Sequence, residues 1–413
     1  MTIKITVMIL AAVGSLYTIF LNVVRRRSAN NPTPDNVSDV YDAETYARWK
    51  KYNAEHCKIE LIFAILTGII TLAMLFTDVY AAFASLFGAG VFAQLLAVVI
   101  LETAVGIVVD IPRSYIATMV IEQKYGFNRS SLKTFVVDKI RTGILGFVLS
   151  LALAWLMAKT HEWVGDYLIV LFAGVMFVIA TLITFLYPWF SRIGNKFVPL
   201  EEGELKDRLM ELLTKHGYRV KAIEVMDASR RTTKLNAYFT GFGKMKTIVL
   251  YDNLLNAMTS DEICAVFAHE LGHGLHKDVQ KMQLLNIAYY LLIGALVWLT
   301  VRNPLWCEAF GFTGLNYGFA YVLVGIGLGM LQPLIGCLTN AVSRRAEYRA
   351  DRQAVKEGYG EAMITAFKKL ARDNFAHLSP SPINVVLEYS HPPLNMRVQE
   401  VELAMSASKQ KEE

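Results

Sequence analysis

Residues 265–278, AVFAHELGHGLHKD, hold three of the chain's eight histidines. His269 and His273 stand four apart, so on a helix their imidazoles share a face and can hold one ion. Glu270 lies beside His269, where its carboxylate can reach a water on that ion. This is the HExxH arrangement of zinc hydrolases, two histidine ligands and a glutamate acting as general base. A helix with two solvent-facing histidines would fit HExxH alone equally well. The HELGH form favours the metal site, because Gly272 lets another backbone come close to the helix. His276 does not supply the third histidine of HExxHxxGxxH, which excludes the metzincin pattern.

A zinc site of this kind needs a third protein ligand from another helix. SRRAEYRADRQAV (343–355) offers Glu347 and Asp351, four apart. Glu347 is the expected ligand. Asp351 is placed to accept a hydrogen bond from a ligand histidine and so fix its tautomer. Alone, the segment reads as a charged helix with internal ion pairs. It is the presence of HELGH on the same side of the membrane that makes Glu347 a ligand.

The elements that must position these groups are partly legible. Thr259-Ser-Asp-Glu262 fits a capping box and predicts a helix start just before the HELGH run. EEGELKDRLMELLTKHG predicts an amphipathic helix with Gly217 at its C-cap. YRVKAIEVMD and TIVLYDNLL alternate like strands of a small sheet, with Gly241 and Gly243 in a turn between them. SANNPTPDN (28–36) reads as a linker, and DAETYARWKKYNAEH as a helix feeding an apolar run. No internal repeat or low-complexity tract is present.

Composition places this site in an unusual setting. Of 413 residues, 54% are hydrophobic and 19% charged, and the mean hydropathy is +0.36. The apolar residues gather in seven runs, near 5–24, 59–77, 91–109, 142–159, 167–187, 284–301 and 315–338. Each approaches the ~20 residues that cross a bilayer as a helix. The net charge of +5 is concentrated in alternate loops: Arg25, Arg26 and Arg27 after the first run, and Arg113 to Arg141 after the third. The positive-inside rule then puts the N-terminus outside and the C-terminus in the cytoplasm. Alternation with apolar runs argues against nucleic-acid binding. The first run is too long, and its basic cluster lies on the wrong side, for a cleaved signal peptide. Cys57, Cys264, Cys307 and Cys337 form no CxxC pair and read as small apolar residues.

The ordered set of motifs resembles the CAAX prenyl protease 1 family. HELGH and EYRAD match its metal motifs, LNAYFTGFGKMKTIVLYDNLL its strand-turn-strand, and SHPPLNMR (390–397) its C-terminal motif. YIATMVIEQKYGFNRSSLKTFVVDKI matches its loop after the third span. The resemblance implies a mainly α, polytopic membrane protein whose seven transmembrane helices enclose an intramembrane chamber. A cytoplasmic HExxH zinc-protease domain with a small β-sheet caps it. The implied division is 1–187 with five spans, 188–283 with HELGH, 284–338 with spans six and seven, and 339–413 with the third ligand. It further implies one Zn2+ on His269, His273 and Glu347, with Glu270 as base. Asn236 would hold the substrate backbone, His391 would stabilise the oxyanion or donate a proton, and Arg397 would bind substrate. The implied reaction removes the C-terminal tripeptide of prenylated CAAX proteins, or cuts related peptides, by a monomer in contact with membrane lipid. Gln94, Glu102, Asn286 and Gln332 are expected in chamber walls or in helix contacts. A length below that of eukaryotic members and the ending KQKEE predict a bacterial inner membrane rather than the endoplasmic reticulum. An HtpX-like quality-control protease is the nearest alternative, and seven spans count against it. A site-2 type protease would put HExxH inside a span, and a transporter would repeat ionisable pairs along the spans.

Overall fold

The computed structural model describes residues 1–88, 90–218, 220–240 and 247–412. Helices α1 (Thr2–Ser28) and α2 (Ala43–Phe76) form an antiparallel pair. The short α3 (Val79–Ala84) and α4 (Val91–Tyr115) follow. A π-helical stretch, Ile116–Glu122, continues α4. The hairpin of α5 (Leu132–Val164) and α6 (Leu168–Phe190) completes the first five long helices. The polar helix expected before the second run is the first part of α2, so that helix and the span join without a break. That span stops at Phe76, because Asp78 turns the chain in the left-handed region (φ 55°).

Next comes the soluble part: β1 (Phe197–Pro199), α7 (Glu204–Lys215), β2 (Ala222–Met226), β3 (Ala237–Thr240), β4 (Thr247–Tyr251), α8 (Asp252–Ala257) and α9 (Ser260–Leu275). The chain then runs through α10 (Asp278–Arg302), α11 (Leu305–Glu308), α12 (Tyr317–Lys356), α13 (Gly360–Asp373), α14 (Pro382–Glu388) and α15 (Leu394–Glu412).

Among the described residues seven helices are long and apolar enough to cross a membrane. Their outward residues show which solvent they face. Ile69, Val108, Ile144 and Val170 stand 61–70% exposed, and apolar surface of that extent is stable against lipid, not water. Between these helices lie two cavities of about 630 and 640 Å3, both lined by Thr71, Glu102 and Ile326. The expected chamber therefore takes the form of two neighbouring cavities. Gln332 also lines one of them, whereas Asn286 is used locally, bonding Tyr290.

The sheet has the order β1-β2-β4-β3, with β2 and β4 parallel and the other pairs antiparallel. The two expected strands are β2 and β4, and β1 and β3 add to them. The expected turn at Gly241 and Gly243 lies outside the described residues. β4 is central, and its first four residues are buried, so it reads as the apolar run TIVL. Ile248 and Leu250 pack with Leu209 and Leu213 of α7 and Phe267 and Leu271 of α9. Each such side chain contributes about 1.5–3 kcal/mol of burial, which fixes α9 on the sheet. Gly217 follows α7 at φ 58°, as its C-cap reading requires.

Two features then carry α9 into the membrane part. At Lys277 (φ 56°) the chain turns and enters α10 at once. α12 runs unbroken from the seventh span to Lys356, so the EYRAD segment is the end of that helix rather than a separate one.

Candidate metal centre and active site

The start of α9 is a complete capping box. Thr259 Oγ1 accepts from the Glu262 amide at 3.3 Å, and the Thr259 amide donates to Glu262 Oε2 at 2.8 Å. Lys369 of α13 bonds the same carboxylate at 2.6 Å. Along α9 Ile263, Phe267 and Leu271 pack with the sheet and Ala265 and Ala268 with Ala354 and α13, while His269 and His273 lie against Glu347 of α12. The helices meet at Gly272. A Cβ there would lie 3.0 Å from Ala350 Cα and Gln353 Cβ, so only glycine permits this approach.

That seam brings three donors together. His269 Nε2 and His273 Nε2 are 3.2 Å apart, and Glu347 oxygens lie 3.5 and 3.3 Å from them. The opposite ring nitrogens are both bonded to carboxylates: His269 Nδ1 to Asp351 Oδ1 at 2.8 Å, and His273 Nδ1 to Asp278 Oδ2 at 3.0 Å. Each carboxylate holds the proton on Nδ1, so both Nε2 lone pairs aim into one space. Lone pairs at 3.2 Å repel unless a cation lies between them. A tetrahedral ion holding nitrogen at about 2.0–2.1 Å would separate two ligands by roughly 3.3 Å, close to the observed spacing. Among the described residues Glu347 Oε2 is buried and accepts no hydrogen bond, an orphan that a metal would satisfy.

Charge points the same way. Among the described residues, the close arginines facing Glu270, Glu347, Asp351 and Asp278 are Arg397 and Arg349. The exposed Lys281 reaches Asp278 only at 3.9 Å. With both imidazoles neutral, four carboxylates against two guanidiniums leave two negative charges, which one divalent cation would balance. The residues therefore fit a single metal ion.

The other expected residues fall at different depths. Asp351 is fully buried and held by Arg397, whose Nη2 and Nε donate at 2.6 and 3.0 Å. Arg397 Nη2 also lies 3.3 Å from Glu347 Oε2, and its guanidinium stacks 4.0 Å from the Phe367 ring centre. Its 3.3 Å approach to His269 Nδ1 follows from the two donors sharing one Asp351 oxygen. Arg397, expected at the substrate, is thus occupied by the carboxylates behind the ligands. His391 is on the open side, 64% exposed, with Nε2 3.3 Å from Glu347 Oε1 and Nδ1 2.9 Å from Ser390 Oγ. Asn236 precedes the edge strand β3, which packs against α9. Its carbonyl accepts from the Tyr251 amide at 3.1 Å, and the residue is exposed.

Glu270 is partly buried, and burial lifts its carboxyl above the ordinary carboxylate value, against the pull of His269 and His273. A carboxylate so raised is better matched to taking a proton near neutral pH.

Asp278 and Arg349 were not singled out by the sequence reading. Asp278 is the first residue of α10, and Arg349 Nη2 donates to its Oδ1 at 2.7 Å. A five-residue offset from His273 is not a helix-face spacing. Only the turn at Lys277 folds Asp278 back beneath the histidine, and that turn has no glycine to announce it.

Comparison with known proteins gives a consistent picture. Residues 22–192 match the family described as CAAX prenyl protease N-terminal, five membrane helices, and residues 199–404 match peptidase family M48. The chain is 30% identical over 404 residues to CAAX prenyl protease 1 of Saccharomyces cerevisiae, covering 88% of this chain and 87% of that protein. It is 32% identical over 298 residues to the CAAX prenyl protease 1 homolog of Arabidopsis thaliana, covering 71% and 70%. The homolog of Oryza sativa is 29% identical and covered over 95% of its length, so the chain's length does not set it apart from eukaryotic members as expected. The crystal structure of S. mikatae Ste24p superposes with a TM-score of 0.90 at 25% identity, covering 97% of this chain and 99% of that one.

Proposed function

The chain belongs to peptidase family M48 and to the CAAX prenyl protease 1 family within it, a multi-pass membrane metalloprotease, and on that premise we propose that it removes the C-terminal tripeptide of prenylated protein tails. The observation that carries this reading is the convergence of His269 Nε2, His273 Nε2 and Glu347 on one space, with each Nδ1 pinned by a carboxylate. Those three residues would hold one ion, for which a His2Glu set favours zinc, and when bound the ion would supply Lewis acidity.

The protein's own groups do the rest. The tail lies extended along β3, whose outer edge is free of a strand partner among the described residues, and pairs with it by strand addition. Asn236 holds the tail's backbone at the start of that edge. Glu270 takes a proton from the attacking water and passes it to the leaving nitrogen. His391, on the open side of Glu347, stabilises the oxyanion of the tetrahedral intermediate or donates a proton. Asp351 and Arg397 lock His269, and Asp278 and Arg349 lock His273.

In this reading the five-span region 1–187 and spans six and seven (284–338) form the membrane body. The segments 188–283 and 339–413 form the protease part, on the cytoplasmic side with the C-terminus. The protein acts as a monomer. The test is cleavage of a farnesylated CAAX peptide by the purified, zinc-loaded protein, with Glu270→Gln as control and products identified by mass. Release of the tripeptide by the unmodified protein alone is expected. Cleavage of only an unlipidated peptide would overturn the substrate while keeping the chemistry, and cleavage of neither would overturn the site.

A further inference from the structure

A second charged cluster lies away from the metal centre. Where the start of α5, the turn after α6 and the turn between β2 and β3 meet, there is a pocket of about 380 Å3. Five cations line it, Arg129, Lys133, Arg141, Arg230 and Arg231, against one carboxylate, Asp138. Three guanidiniums converge on Gly194. Arg230 Nη2 and Arg231 Nη2 both donate to its carbonyl oxygen, at 2.9 and 3.0 Å. Arg141 Nη1 lies 3.2 Å from where a Cβ on Gly194 would be. Gly194 itself is at φ 82°, so a side chain there would be strained as well as crowded.

Opposite charge is scarce. Arg231 pairs with Asp138 at 2.5 Å, and Arg230 approaches Asp227 at 3.6 Å. Arg129, Lys133 and Arg141 have no ion-pair partner among the described residues. Arg231 Nε is buried with no hydrogen-bond acceptor among the described residues. Like charges held this close repel unless a counter-anion joins them.

The surroundings indicate where that anion comes from. Trp189 near the end of α6 is 62% exposed, as aromatic residues at a membrane interface are. From the pocket, α5 runs on with Val136, Ile140 and Ile144 outward and exposed, an apolar face for acyl chains. The pocket thus sits at headgroup level, at the end of the spans that carries the protease domain.

We propose that this pocket binds the phosphate of an anionic phospholipid, which ties the protease-domain arginines Arg230 and Arg231 to the α5 cations. Free phosphate offers the same oxygen chemistry, but only a lipid also uses the apolar face of α5. Each basic residue near a bilayer surface contributes about fivefold to binding of anionic lipid.

The test uses the full-length protein in phosphatidylcholine bilayers with a minor fraction of phosphatidylglycerol, extracted gently, with retained lipid identified by native mass spectrometry. The unmodified protein is expected to retain phosphatidylglycerol over phosphatidylcholine. A variant carrying Arg129→Gln, Lys133→Gln and Arg141→Gln is expected to lose that preference by on the order of a hundredfold, with metal content and peptide cleavage in neutral lipid unchanged. If the triple variant does not fold, Arg141→Gln alone is expected to lose about fivefold. Equal phosphatidylglycerol retention by variant and unmodified protein would overturn the site. Full displacement of the lipid by millimolar inorganic phosphate would overturn the lipid as occupant.

Discussion

The seam between α9 and α12 and the pocket around Gly194 are charged clusters of opposite sign. The seam sets four carboxylates against two guanidiniums, all buried or partly buried and mostly paired, and is short of a cation. The pocket sets five cations against one carboxylate, largely unpaired and open, and is short of an anion. The difference lies in how the like charges are held. In the seam each histidine ligand is backed by a carboxylate that has its own arginine partner, which fixes the direction of its donor nitrogen. In the pocket Gly194, Asp138 and, more loosely, Asp227 organise Arg230 and Arg231 among the described residues, and the other cations can adapt to an occupant of variable shape. One arrangement suits a single ion in a fixed reaction, the other a headgroup on a mobile lipid.

The largest expected effect separates the two clusters by function. Glu270→Gln removes the proton acceptor while leaving all three donor atoms, so metal content should be unchanged and cleavage should fall by about 10²- to 10⁴-fold. The pocket variants should leave cleavage in neutral lipid as it was. A Glu270→Gln protein that still cuts at the normal rate would sink the assignment of the base.

Next in size is the buried pair behind His269. Arg397→Ala strips the fully buried Asp351 of its guanidinium, and removing one partner of a buried ion pair typically destabilises by about 3–5 kcal/mol. Chemical denaturation in detergent should show a loss of that order. Removing Arg129, which has no ion-pair partner among the described residues, should cost almost nothing. Similar losses at both positions would erase the distinction between a paired and an unpaired cluster.

Asp278→Asn probes the same logic at His273. The amide still fills the space but no longer draws the Nδ1 proton as a carboxylate does, so metal affinity should fall about 10- to 100-fold. Competition against a chelator of known affinity would measure this. An unchanged affinity would reduce Asp278 to a helix-start residue.

How much of this was legible follows from what each feature depends on. His269, Glu270 and His273 lie within one helical turn, and Glu347 and Asp351 within another, so their spacing shows them side by side. The capping box at Thr259 and the apolar run of β4 are local in the same way. Asp278 was invisible because a left-handed turn at a lysine, not a periodicity, brings it to the site. Arg397 was read as a substrate group because a motif gives order along the chain and not depth. The Gly194 pocket draws on three segments spread over about a hundred residues, and of its cations Arg129, Lys133 and Arg141 read as topology signals while Arg230 and Arg231 carried no signal. Gly272 was legible, and it predicts a cost. Gly272→Ala presses a methyl to 3.0 Å from the Ala350 backbone, which should destabilise by about 1–3 kcal/mol and widen the α9–α12 seam. An alanine variant of normal stability would mean that the helices can part without penalty.

The smallest effect is a dependence on pH that only one cluster should show. At His273 burial works to lower the pKa, but the bond to Glu347, the charge of Glu270 and the bond to Asp278 outweigh it and raise the metal-free imidazole from 6.5 to about 9. The raised value means that the metal-free protein is steadied by the protonated form, fully below pH 6.5, and loses that contribution as pH climbs through about 9. A metal must displace that proton. Its apparent affinity should therefore rise about tenfold per pH unit up to about 9 and then level off as far as this group is concerned. The residues lining the Gly194 pocket include no histidine, and its lysine and arginines keep their charge over the same range. Binding of a phosphodiester headgroup there should be flat from pH 6 to 9 and weaken instead with salt. Chelator competition and lipid retention, followed across pH and ionic strength, measure the two responses in one preparation. A pH-independent metal affinity would mean that Asp278 and Glu347 do not hold a proton on His273 in the metal-free state, and a salt-independent lipid preference would mean that the unpaired cations do not bind it.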